Sequence, residues 1–226
     1  MHPDIQAVLG GRERWAVIQG DCLDTLDQVR GRIGMVLCDP PYGMSMATNH
    51  AERGRDNLAP VTDWLPVHGD DKPYDPAPIL ALNVPTVMWG ANWFADKLPP
   101  SSGWVVWDKD RPDDLDQATC ELAWTNYVKG VRRLKHLWNG MMKASERGES
   151  YHPTQKPVEL MRWVLSLKWS PKGDVVVFDP YCGSGPVGVA AVQMGYRYIG
   201  VEYESSYCAI ARRRIADAAA QGNLFL

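Results

Sequence analysis

The sequence predicts an α/β fold, in which a parallel sheet is covered by helices on both faces. The first observation is that short apolar runs typical of buried strands alternate with segments of helical apolar spacing. The second is that two of these runs end in unusual turns, "DPPYG" at 39–43 and "DPYCGSG" at 179–185. A chain of 226 residues is long enough for one such domain with a modest insertion.

The N-terminal part is predicted to form a strand, a helix and a second strand. Residues 14–21 are a short strand ending at Gly20-Asp21, residues 22–29 have helical spacing, and residues 33–39 are a buried strand. Residues 44–75 are rich in Asp, Asn, Gly, Pro and His, which predicts a long loop insertion. Loops of this length in a compact domain are usually functional or disordered.

The middle of the chain is predicted to contribute further strands. Residues 85–92 and 103–109 each have the composition of a strand, and we expect a helix between them. Residues 118–139 favour one or two more strands, joined to a basic segment.

The C-terminal part alternates regularly. Residues 154–170 predict a helix with Pro157 as its first residue. A strand, a glycine turn and a helix follow over 173–195, then a strand over 196–204 and an amphipathic helix over 206–220. No internal repeat is present.

Composition excludes several classes of protein. No apolar run reaches the roughly 20 residues of a membrane span, and no signal-peptide pattern opens the chain. The five cysteines are scattered without a C-x-x-C pair, which favours free thiols in a reducing cytoplasm over a zinc site. We therefore expect a cytoplasmic protein that holds no metal and contacts no membrane.

Charge is distributed unevenly along the chain. The net charge of −3 is not that of a typical nucleic-acid-binding protein. Residues 108–116 hold five acids, whereas 129–147 hold six basic residues and one acid. A basic segment on a mildly acidic chain can still bind phosphates locally, although charged runs are usually solvated surface.

The turn at 39–43 is stiff. Pro40 and Pro41 lack an N–H and fix their own φ angles, and each also biases the preceding residue toward extended backbone. The strand therefore ends in an extended shelf that presents the Asp39 carboxylate, free carbonyls and the ring of Tyr42.

The turn at 179–185 contains a formal G-x-G-x-x-G pattern at Gly183, Gly185 and Gly188. A nicotinamide domain would need more than the 40 or so residues that follow, and Asp179 is badly placed for a phosphate. An acidic turn with glycines suits a ligand with a cationic amino-acid end, such as S-adenosylmethionine. Glu202, ending the next strand, would then bind the ribose hydroxyls. A tight turn without a ligand stays open.

Together these segments resemble a known family. "DPPYG" at 39–43, "HPTQKP" at 152–157 and "FDPYCGSGPVGVA" at 178–190 are similar to the motifs of S-adenosylmethionine-dependent DNA amino-methyltransferases. "QGDC" at 19–22 and "VEYE" at 201–204 support the resemblance. The catalytic motif precedes the cofactor motif, as in the circularly permuted β type. The small size resembles that of solitary phage or prophage DNA adenine methyltransferases.

The resemblance implies a Rossmann-like methyltransferase sheet, permuted as described, in a single catalytic domain over 1–226. It implies that residues 21, 39, 179 and 202 surround one cleft. Asp21 and Cys22 would flank the adenine of the cofactor, with His152, Thr154 and Lys156 near its carboxylate. The full set of implied cofactor residues is Asp21, Cys22, Asp39, His152, Thr154, Lys156, Phe178, Asp179, Pro180, Cys182, Gly183, Ser184, Gly185, Glu202 and Tyr203. Thr154 could equally be a helix N-cap, and Lys156 a surface charge.

The catalytic residues that the resemblance implies are Asp39, Pro40, Pro41 and Tyr42. Asp39 and the Pro40 carbonyl would bind the amino hydrogens of a base that is flipped out of the duplex, and Tyr42 would stack on it. In this family an acid in the first position is more often found with adenine N6, and serine with cytosine N4. Asp39 therefore favours adenine, with cytosine N4 and RNA as alternatives.

DNA is the partner that the resemblance implies, and the family admits a homodimer. Region 110–150 is the candidate for DNA recognition, together with the loop at 44–75. Its candidate contacts are Arg132, Arg133, Lys135, Trp138 and Lys143. A DNA-binding module without catalysis and a nicotinamide oxidoreductase are the other interpretations.

Overall fold

The computed structural model describes residues 1–46, 67–112, 118–139, 142–146, 150–152 and 154–222. The elements within these residues are, in chain order, α1 (Pro3–Leu9), β1 (Trp15–Gln19), α2 (Leu26–Val29), β2 (Met35–Cys38), α3 (Ala77–Leu80), β3 (Thr86–Trp89), β4 (Gly103–Asp108), β5 (Cys120–Thr125), β6 (Val131–Lys135), β7 (Trp138–Asn139), β8 (Met142–Lys143), α4 (Val158–Ser166), β9 (Val176–Asp179), α5 (Pro186–Gln193), β10 (Arg197–Glu202) and α6 (Ser205–Gly222). Short 3-10 helices lie at Cys22–Thr25, Ala91–Trp93 and Ala95–Lys97.

Eight strands form one sheet in the order β1-β10-β9-β2-β3-β5-β4-β6, and β7 and β8 form a separate pair. The first five strands of this order are mutually parallel. β5 runs antiparallel to both of its neighbours, β3 and β4. The expectation of a wholly parallel sheet is therefore wrong in this half. β4 and β5 pair over six positions, from Gly103 opposite Thr125 to Asp108 opposite Cys120, an antiparallel pairing that needs no crossover helix.

Helices cover both faces of the sheet, as predicted. Side chains alternate along β2, so Met35 and Leu37 pack in one cluster with α4, α5 and α6. Val36 and Cys38 point the other way and pack with α1, α2 and α3. Burial on both faces explains why the central strands read as continuous apolar runs.

Three elements differ from the sequence predictions. Between β3 and β4 the structure has only the two 3-10 helices, because Gly90 takes a positive φ of 67° and Pro99 and Pro100 follow closely. The helix predicted over 22–29 is divided into a 3-10 turn and the four residues of α2. Pro157 is the extended N-cap of α4 and not its first residue, with φ −62° and ψ 139°.

The structure describes parts of the predicted loop insertion at 44–75 and of the predicted DNA-recognition region at 110–150. Of the loop insertion at 44–75, residues 47–66 lie outside the described residues, and 67–75 pack beside the shelf. Of region 110–150, β5 and β6 are strands of the main sheet, whereas one or two strands were expected over 118–139 and three are found.

β9 and β10 lie between β1 and β2, the placement that a permuted chain requires, although the permutation itself stays a prediction. In the described part of the chain, no helix is long and apolar enough to cross a bilayer.

Candidate active site

Four neighbouring parallel strands end at one edge of the sheet. Asp21 follows β1, Glu202 ends β10, Asp179 ends β9 and Asp39 follows β2. All four residues line one cavity of about 1150 Å³. Parallel strands of an open α/β sheet place their carboxyl ends side by side, which is where such folds bind ligands. The structure thus brings the four residues together as the sequence predicted.

The shelf and the residues that follow it are anchored by hydrogen bonds to a single carboxylate, that of Asp70. Asp70, 5% exposed, accepts hydrogen bonds at Oδ1 from the backbone N–H groups of Tyr42, Gly43 and Met44 at 2.9–3.2 Å, and at Oδ2 from Met46 at 2.7 Å. The backbone carbonyl of Asp70 also accepts from the N–H of Ser45 at 2.8 Å. These bonds give the residues after the two prolines a defined path. Pro40 and Pro41 themselves line the cavity.

Asp39 has a partner for each carboxylate oxygen. Tyr42 Oη donates to Oδ1 at 2.5 Å, and Lys156 Nζ donates to Oδ2 at 2.6 Å. Burial raises the pKa of Asp39, while Lys156 opposes that shift. Burial and the Asp39 charge also raise the pKa of Tyr42 well above its usual range, so its hydroxyl stays a donor.

Lys156 is almost fully buried, with 4% of its side chain exposed. Its ammonium lies 3.1 Å from Glu121 Oε2 as well as 2.6 Å from Asp39 Oδ2. Burial lowers the pKa of Lys156, but the two carboxylates outweigh burial and the pKa lies above its ordinary value. Glu121 in turn pairs with Lys109 at 2.6 Å. The ammonium expected beside a cofactor carboxylate therefore binds carboxylates of the chain itself.

Sequence reasoning missed Glu121 and Lys109. Both line the cavity, Glu121 near the start of β5 and Lys109 just after β4. The available signal was an acid within the otherwise apolar stretch 120–124, since a charge inside a strand needs a partner. The identity of the partner depends on the pairing of β4 with β5, which the sequence does not display.

The three glycines of the turn, Gly183, Gly185 and Gly188, have different structural surroundings. Gly183, with φ 51°, faces the cleft, and the nearest atom to a Cβ built there is His152 Cδ2 at 3.8 Å. Gly185, with φ 81°, faces α6, where a Cβ would meet Ala211 Cβ at 3.0 Å. A Cβ at Gly188 would lie 2.4 Å from Ile215 Cδ1. Only Gly183 is placed to let backbone approach a ligand; Gly185 is not among the cavity-lining residues and serves helix packing.

Glu202 and Asp179 border this turn. Glu202 accepts hydrogen bonds from the N–H of Gly183 at Oε2 and from the N–H of Glu204 at Oε1, both at 2.8 Å. Each oxygen retains a further lone pair for a ligand. Asp179 is 1% exposed and accepts from Tyr198 Oη at 3.2 Å and from the Tyr181 N–H at 3.3 Å. Burial raises the pKa of Asp179 to about 8.

The far end of the cleft carries aromatic and sulfur groups. Asp21 caps the 3-10 helix by accepting from the Leu23 N–H at 2.8 Å, and burial raises the pKa of Cys22 to about 11. Tyr203 is 49% exposed and stacks on His68, with ring centroids 3.7 Å apart. All four side chains line the cavity. A stacking surface thus lies beside Glu202.

The described residues of the HPTQKP segment border the cleft. Thr154 donates its N–H to His152 Nδ1 at 3.2 Å, so Thr154 does not cap α4. The backbone N–H of Val158 is instead bound by Glu146 Oε2 at 2.8 Å. Burial and Lys156 lower the pKa of His152 to about 4, so its ring is neutral at pH 7. His152, Thr154, Gln155 and Lys156 all line the cavity.

The remaining predicted cofactor residues divide by exposure to the cleft. Pro180, Cys182 and Ser184 line it. Phe178 does not, because its side chain is fully buried among the apolar residues that pack against α1, α2 and α3. Phe178 therefore supports β9 from the core and its ring contacts no ligand in the cleft.

The residues predicted to bind DNA are dispersed. Arg132, Arg133 and Lys135 lie on β6 at the edge of the sheet, where Arg133 pairs with Asp108 and Lys135 with Asp110. Trp138 and Lys143 line the cavity, with the Lys143 ammonium 4.3 Å from the centre of the Trp138 ring. Trp138 is only 9% exposed, so its ring offers no open surface for stacking. These residues form no single basic patch, and their role stays a prediction.

The cleft has the chemistry that S-adenosylmethionine requires. Glu202 offers acceptors for hydroxyl groups, the buried Asp179 carboxyl lines the cleft, and Gly183 leaves backbone exposed. The cavity exceeds the upper end of the roughly 300–1,000 Å³ range of small-molecule sites, which leaves space beside Asp39 for a second molecule. Within the described part of the chain, no group of His, Cys, Asp and Glu is arranged to hold a metal ion.

Comparison with protein families gives one match. A family model described as DNA methylase, for enzymes of the N6/N4 type, matches residues 93–213. That range covers more than half of the chain and includes the HPTQKP segment, the glycine turn and Glu202. It begins after the shelf, so the shelf is not part of this match.

Several curated relatives are similar in sequence. The type II methyltransferase M2.MboI of Moraxella bovis is 25% identical over 242 aligned positions, covering 88% of this chain and 86% of the relative. Type II methyltransferases of Lactococcus lactis subsp. cremoris (M2.LlaDCHI) and Streptococcus pneumoniae (M2.DpnII) are 35% and 39% identical over 92 and 85 residues, 40% and 37% of this chain. The matched segment spans about a third of each of these two relatives, 34% and 31%.

Solved structures share the fold. The PvuII DNA methyltransferase, described as cytosine-N4-specific, superposes with a TM-score of 0.62 at 14% identity and covers 93% of both chains. The complex of M1.HpyAVI with S-adenosylmethionine has a TM-score of 0.54 at 18% identity, covering 89% of this chain and 98% of that one. At these identities the likeness establishes a Rossmann-like methyltransferase fold.

Proposed function

This chain belongs to the family of N6/N4 DNA methylases, and from that premise we propose that it methylates the N6 amino group of adenine in DNA. Membership confirms the family expected from the sequence and S-adenosylmethionine as the cofactor. The observation that carries the proposal is the position of Asp39 in the same cleft as Gly183 and Glu202. An acceptor for an amino group and a site for the methyl donor thus share one cavity.

Residues at the β9 and β10 ends of the cleft would hold the cofactor. Glu202 would accept hydrogen bonds from the ribose hydroxyls, and Asp21, Cys22 and Tyr203 would surround the adenine ring. Asp179, Gly183 and the HPTQKP segment would border its amino-acid end. The positive φ of Gly183 supports this arrangement because it turns the backbone toward the cleft without a side chain.

The shelf would bind the base. An exocyclic amine is a poor nucleophile because its lone pair is conjugated with the ring. Asp39 and the Pro40 carbonyl are two acceptors for its two hydrogens, and binding both would favour a pyramidal nitrogen with a free lone pair. The Asp39 carboxylate would also stabilise the positive charge that develops on that nitrogen. Tyr42 would stack on the base and, through its hydroxyl bond to Asp39, keep the carboxylate oriented.

The chemistry is a single transfer. S-adenosylmethionine would supply a methyl group on a positively charged sulfur: formation of the N–C bond would break the C–S bond and leave its electron pair on sulfur, and the nitrogen would release one proton to solvent. Asp39 and Tyr42 would hold the amino nitrogen in the cleft that Gly183 also lines, and such positioning would supply a large share of the acceleration.

The base must leave the duplex to reach Asp39. Extrusion costs a few kcal/mol, and stacking of the base on Tyr42 would return about 1–3 kcal/mol. Lys143 and Arg111 line the same cavity, which supports phosphate contacts there. Arg132, Arg133 and Lys135 remain candidates for contacts farther along the DNA.

The choice of base rests on Asp39. An acid in this position favours adenine over cytosine by the family pattern, whereas the PvuII neighbour is described as cytosine-N4-specific. Cytosine N4 in DNA is therefore the second candidate, and an RNA base the third. A DNA-binding module without catalysis is disfavoured by the intact cluster of Asp39, Tyr42 and Lys156.

The test uses purified protein, unmethylated DNA and S-adenosylmethionine labelled in its methyl group. Wild type and Asp27→Ala, a control that removes a 95% exposed carboxylate, should label DNA. Asp39→Ala should not label DNA, yet should bind the cofactor in calorimetry. Labelling at a near wild-type rate by Asp39→Ala, or failure of wild type to bind the cofactor, would overturn the mechanism.

Digestion of the labelled DNA to nucleosides then identifies the base. N6-methyladenine is expected. N4-methylcytosine alone would refute the choice of adenine, and label in RNA but not DNA would refute DNA as the substrate.

A further inference from the structure

Glu121 and Lys109 are partly buried charges for which the proposed mechanism has no use. Side-chain exposure is 22% for Glu121 and 12% for Lys109, low values for charged residues. Lys109 Nζ lies 2.6 Å from Glu121 Oε1, and Lys156 Nζ lies 3.1 Å from Glu121 Oε2. Since Lys156 also binds Asp39, charges of alternating sign run from Lys109 to Asp39.

The sheet explains how these residues meet. β5 is antiparallel to β3, so it begins at the edge where the parallel strands end. Glu121, near the start of β5, therefore lies on the same edge as Asp39. Lys109 follows β4, and its N–H donates to the Thr119 carbonyl at 2.9 Å. Lys156 enters from the segment before α4 and joins the two sides.

The chain of charges is neutral, although Glu121 Oε2 is held by the Lys156 ion pair alone and accepts no hydrogen bond. Burial raises the pKa of Glu121, but Lys156 and Lys109 outweigh it and bring the pKa down to about 2. Glu121 is therefore ionised throughout the working pH range. Two cations and two anions then compensate one another, which is what buried charges require.

Glu121 limits how strongly Lys156 can hold Asp39. A buried lysine with one carboxylate partner would turn its donors onto that partner and occupy the lone pairs that the base needs. Glu121 Oε2, 3.1 Å from Nζ, attracts the ammonium as a second ion-pair partner, while Nζ donates to Asp39 Oδ2 at 2.6 Å and to Tyr42 Oη at 3.1 Å. Lys109 in turn draws Glu121 toward itself.

We propose that Glu121 and Lys109 are positioning residues for methyl transfer, which act on Asp39 through Lys156: Glu121 keeps lone pairs of Asp39 available to the target amino group, and Lys109 keeps Asp39 ionised. The inference rests on the proposed function. It assigns Lys156 to the base side of the cleft, in place of the contact with a cofactor carboxylate that the family resemblance implies.

The two residues affect Asp39 in opposite directions. In Glu121→Gln, Lys156 loses one partner and pairs more closely with Asp39, which lowers the pKa of Asp39. In Lys109→Gln, Glu121 turns more fully to Lys156 and weakens its hold on Asp39, which raises the pKa of Asp39. The groups that act on the Asp39 charge are Lys156, Glu121, Tyr42, Asp179 and Cys38. Of these, only Lys156 and Glu121 change their pairing in the two variants.

The experiment measures kcat, KM and the pH profile of methyl transfer for Glu121→Gln, Lys109→Gln and the control Glu159→Gln, an exposed acid on α4. Glu121→Gln should lower kcat at least tenfold and move the acidic limb of the profile to lower pH. Lys109→Gln should move that limb to higher pH. The Kd for S-adenosylmethionine should change less than twofold in all three.

A second readout does not depend on activity. The Asp39 carboxyl resonance, assigned with Asp39→Asn, can be titrated by 13C NMR in the free protein. The pKa obtained for Asp39 should be lower than in wild type for Glu121→Gln and higher for Lys109→Gln. Equal or absent shifts in the two variants would refute the positioning role, even if both unfold more easily. If wild type transfers no methyl group while the Asp39 shifts occur as expected, the proposed function fails and the positioning network stands.

Discussion

The ring of Tyr42 lies directly against the α-carbon of Gly90. A Cβ built on Gly90 would fall 1.9 Å from Cε1 of Tyr42, a distance that no packing adjustment accommodates without moving the ring. Gly90 follows β3 with a φ of 67°. The strand beside the shelf therefore sets the position of the aromatic ring that we assign to base stacking.

Gly90→Ala should displace Tyr42 and disrupt its bond to Asp39. Gly130→Ala is a matched control, since Gly130 has a φ of 69° and nothing within 4 Å of its Cβ position. The positive φ costs about 1–2 kcal/mol in both variants. We expect Gly90→Ala to lose more stability than Gly130→Ala in chemical denaturation and to lose methyl transfer at least tenfold. Equal stability and full activity of both variants would contradict the packing account.

Asp70 holds the shelf to the segment at 67–75. Asp70→Ala leaves the N–H groups of residues 42, 43, 44 and 46 without their acceptor, so the free energy of unfolding should fall by at least about 2 kcal/mol. Asp71→Ala, which removes the exposed neighbouring carboxylate, is the control and should change stability by less than about 0.5 kcal/mol. Urea titrations measure both, and similar midpoints for the two variants would refute the anchoring role.

Asp179 should make the stability of the cofactor-free protein depend on pH. Its pKa rises from 3.8 to about 8 on burial, while Tyr198 and Tyr181 bind the carboxyl, and Asp39 and Glu202 add to the shift. The folded state therefore retains a proton that the unfolded chain releases. The contribution is fully present below pH 4 and is lost as pH rises toward 8.

Asp179→Asn should remove this dependence. The stability of the variant relative to wild type should increase steadily from pH 4 to pH 8, as measured by denaturant midpoints across that range. A difference that stays constant with pH would mean that Asp179 is ionised in the folded protein, contrary to the effect of burial.

Glu202 should govern cofactor affinity. In Glu202→Gln the amide group would face either the Gly183 or the Glu204 N–H, and a charged acceptor is lost. A hydrogen bond to a charged group contributes about 1.5–3 kcal/mol, so Kd for S-adenosylmethionine should rise about tenfold or more. Glu159→Gln, on the exposed side of α4, should leave Kd unchanged. An unaltered Kd in Glu202→Gln would remove Glu202 from the cofactor site.

Local patterns in the sequence were sufficient for part of the fold. The proline pair after β2 and the glycines after β9 mark the ends of two strands, and parallel strands end side by side. Asp179 and Glu202 could therefore be placed at one sheet edge from these patterns, whereas the position of Asp39 beside them was implied by the family resemblance. The regular succession of strands and helices likewise predicted helices on both faces.

Long-range pairing was not visible in the sequence. The antiparallel insertion of β5 between β3 and β4 is a choice among strand pairings that no local pattern records. That pairing brings Glu121 to Lys156. Because the sequence does not reveal it, the Lys156 ammonium was assigned to the cofactor carboxylate. The packing of Gly185 was hidden for a similar reason, since its neighbour Ala211 lies on a helix that is distant in sequence, and the contact of Gly185 with the cofactor stays a prediction.

The central claim is that this cleft methylates adenine in DNA through Asp39. The most direct measurement is sequencing of host DNA with detection of modified bases, after expression of wild type or Asp39→Ala in a methylation-deficient host. N6-methyladenine should recur in one short sequence context with wild type and be absent with Asp39→Ala. Unmodified DNA with wild type that is folded and binds S-adenosylmethionine, or equal modification with Asp39→Ala, would contradict the account.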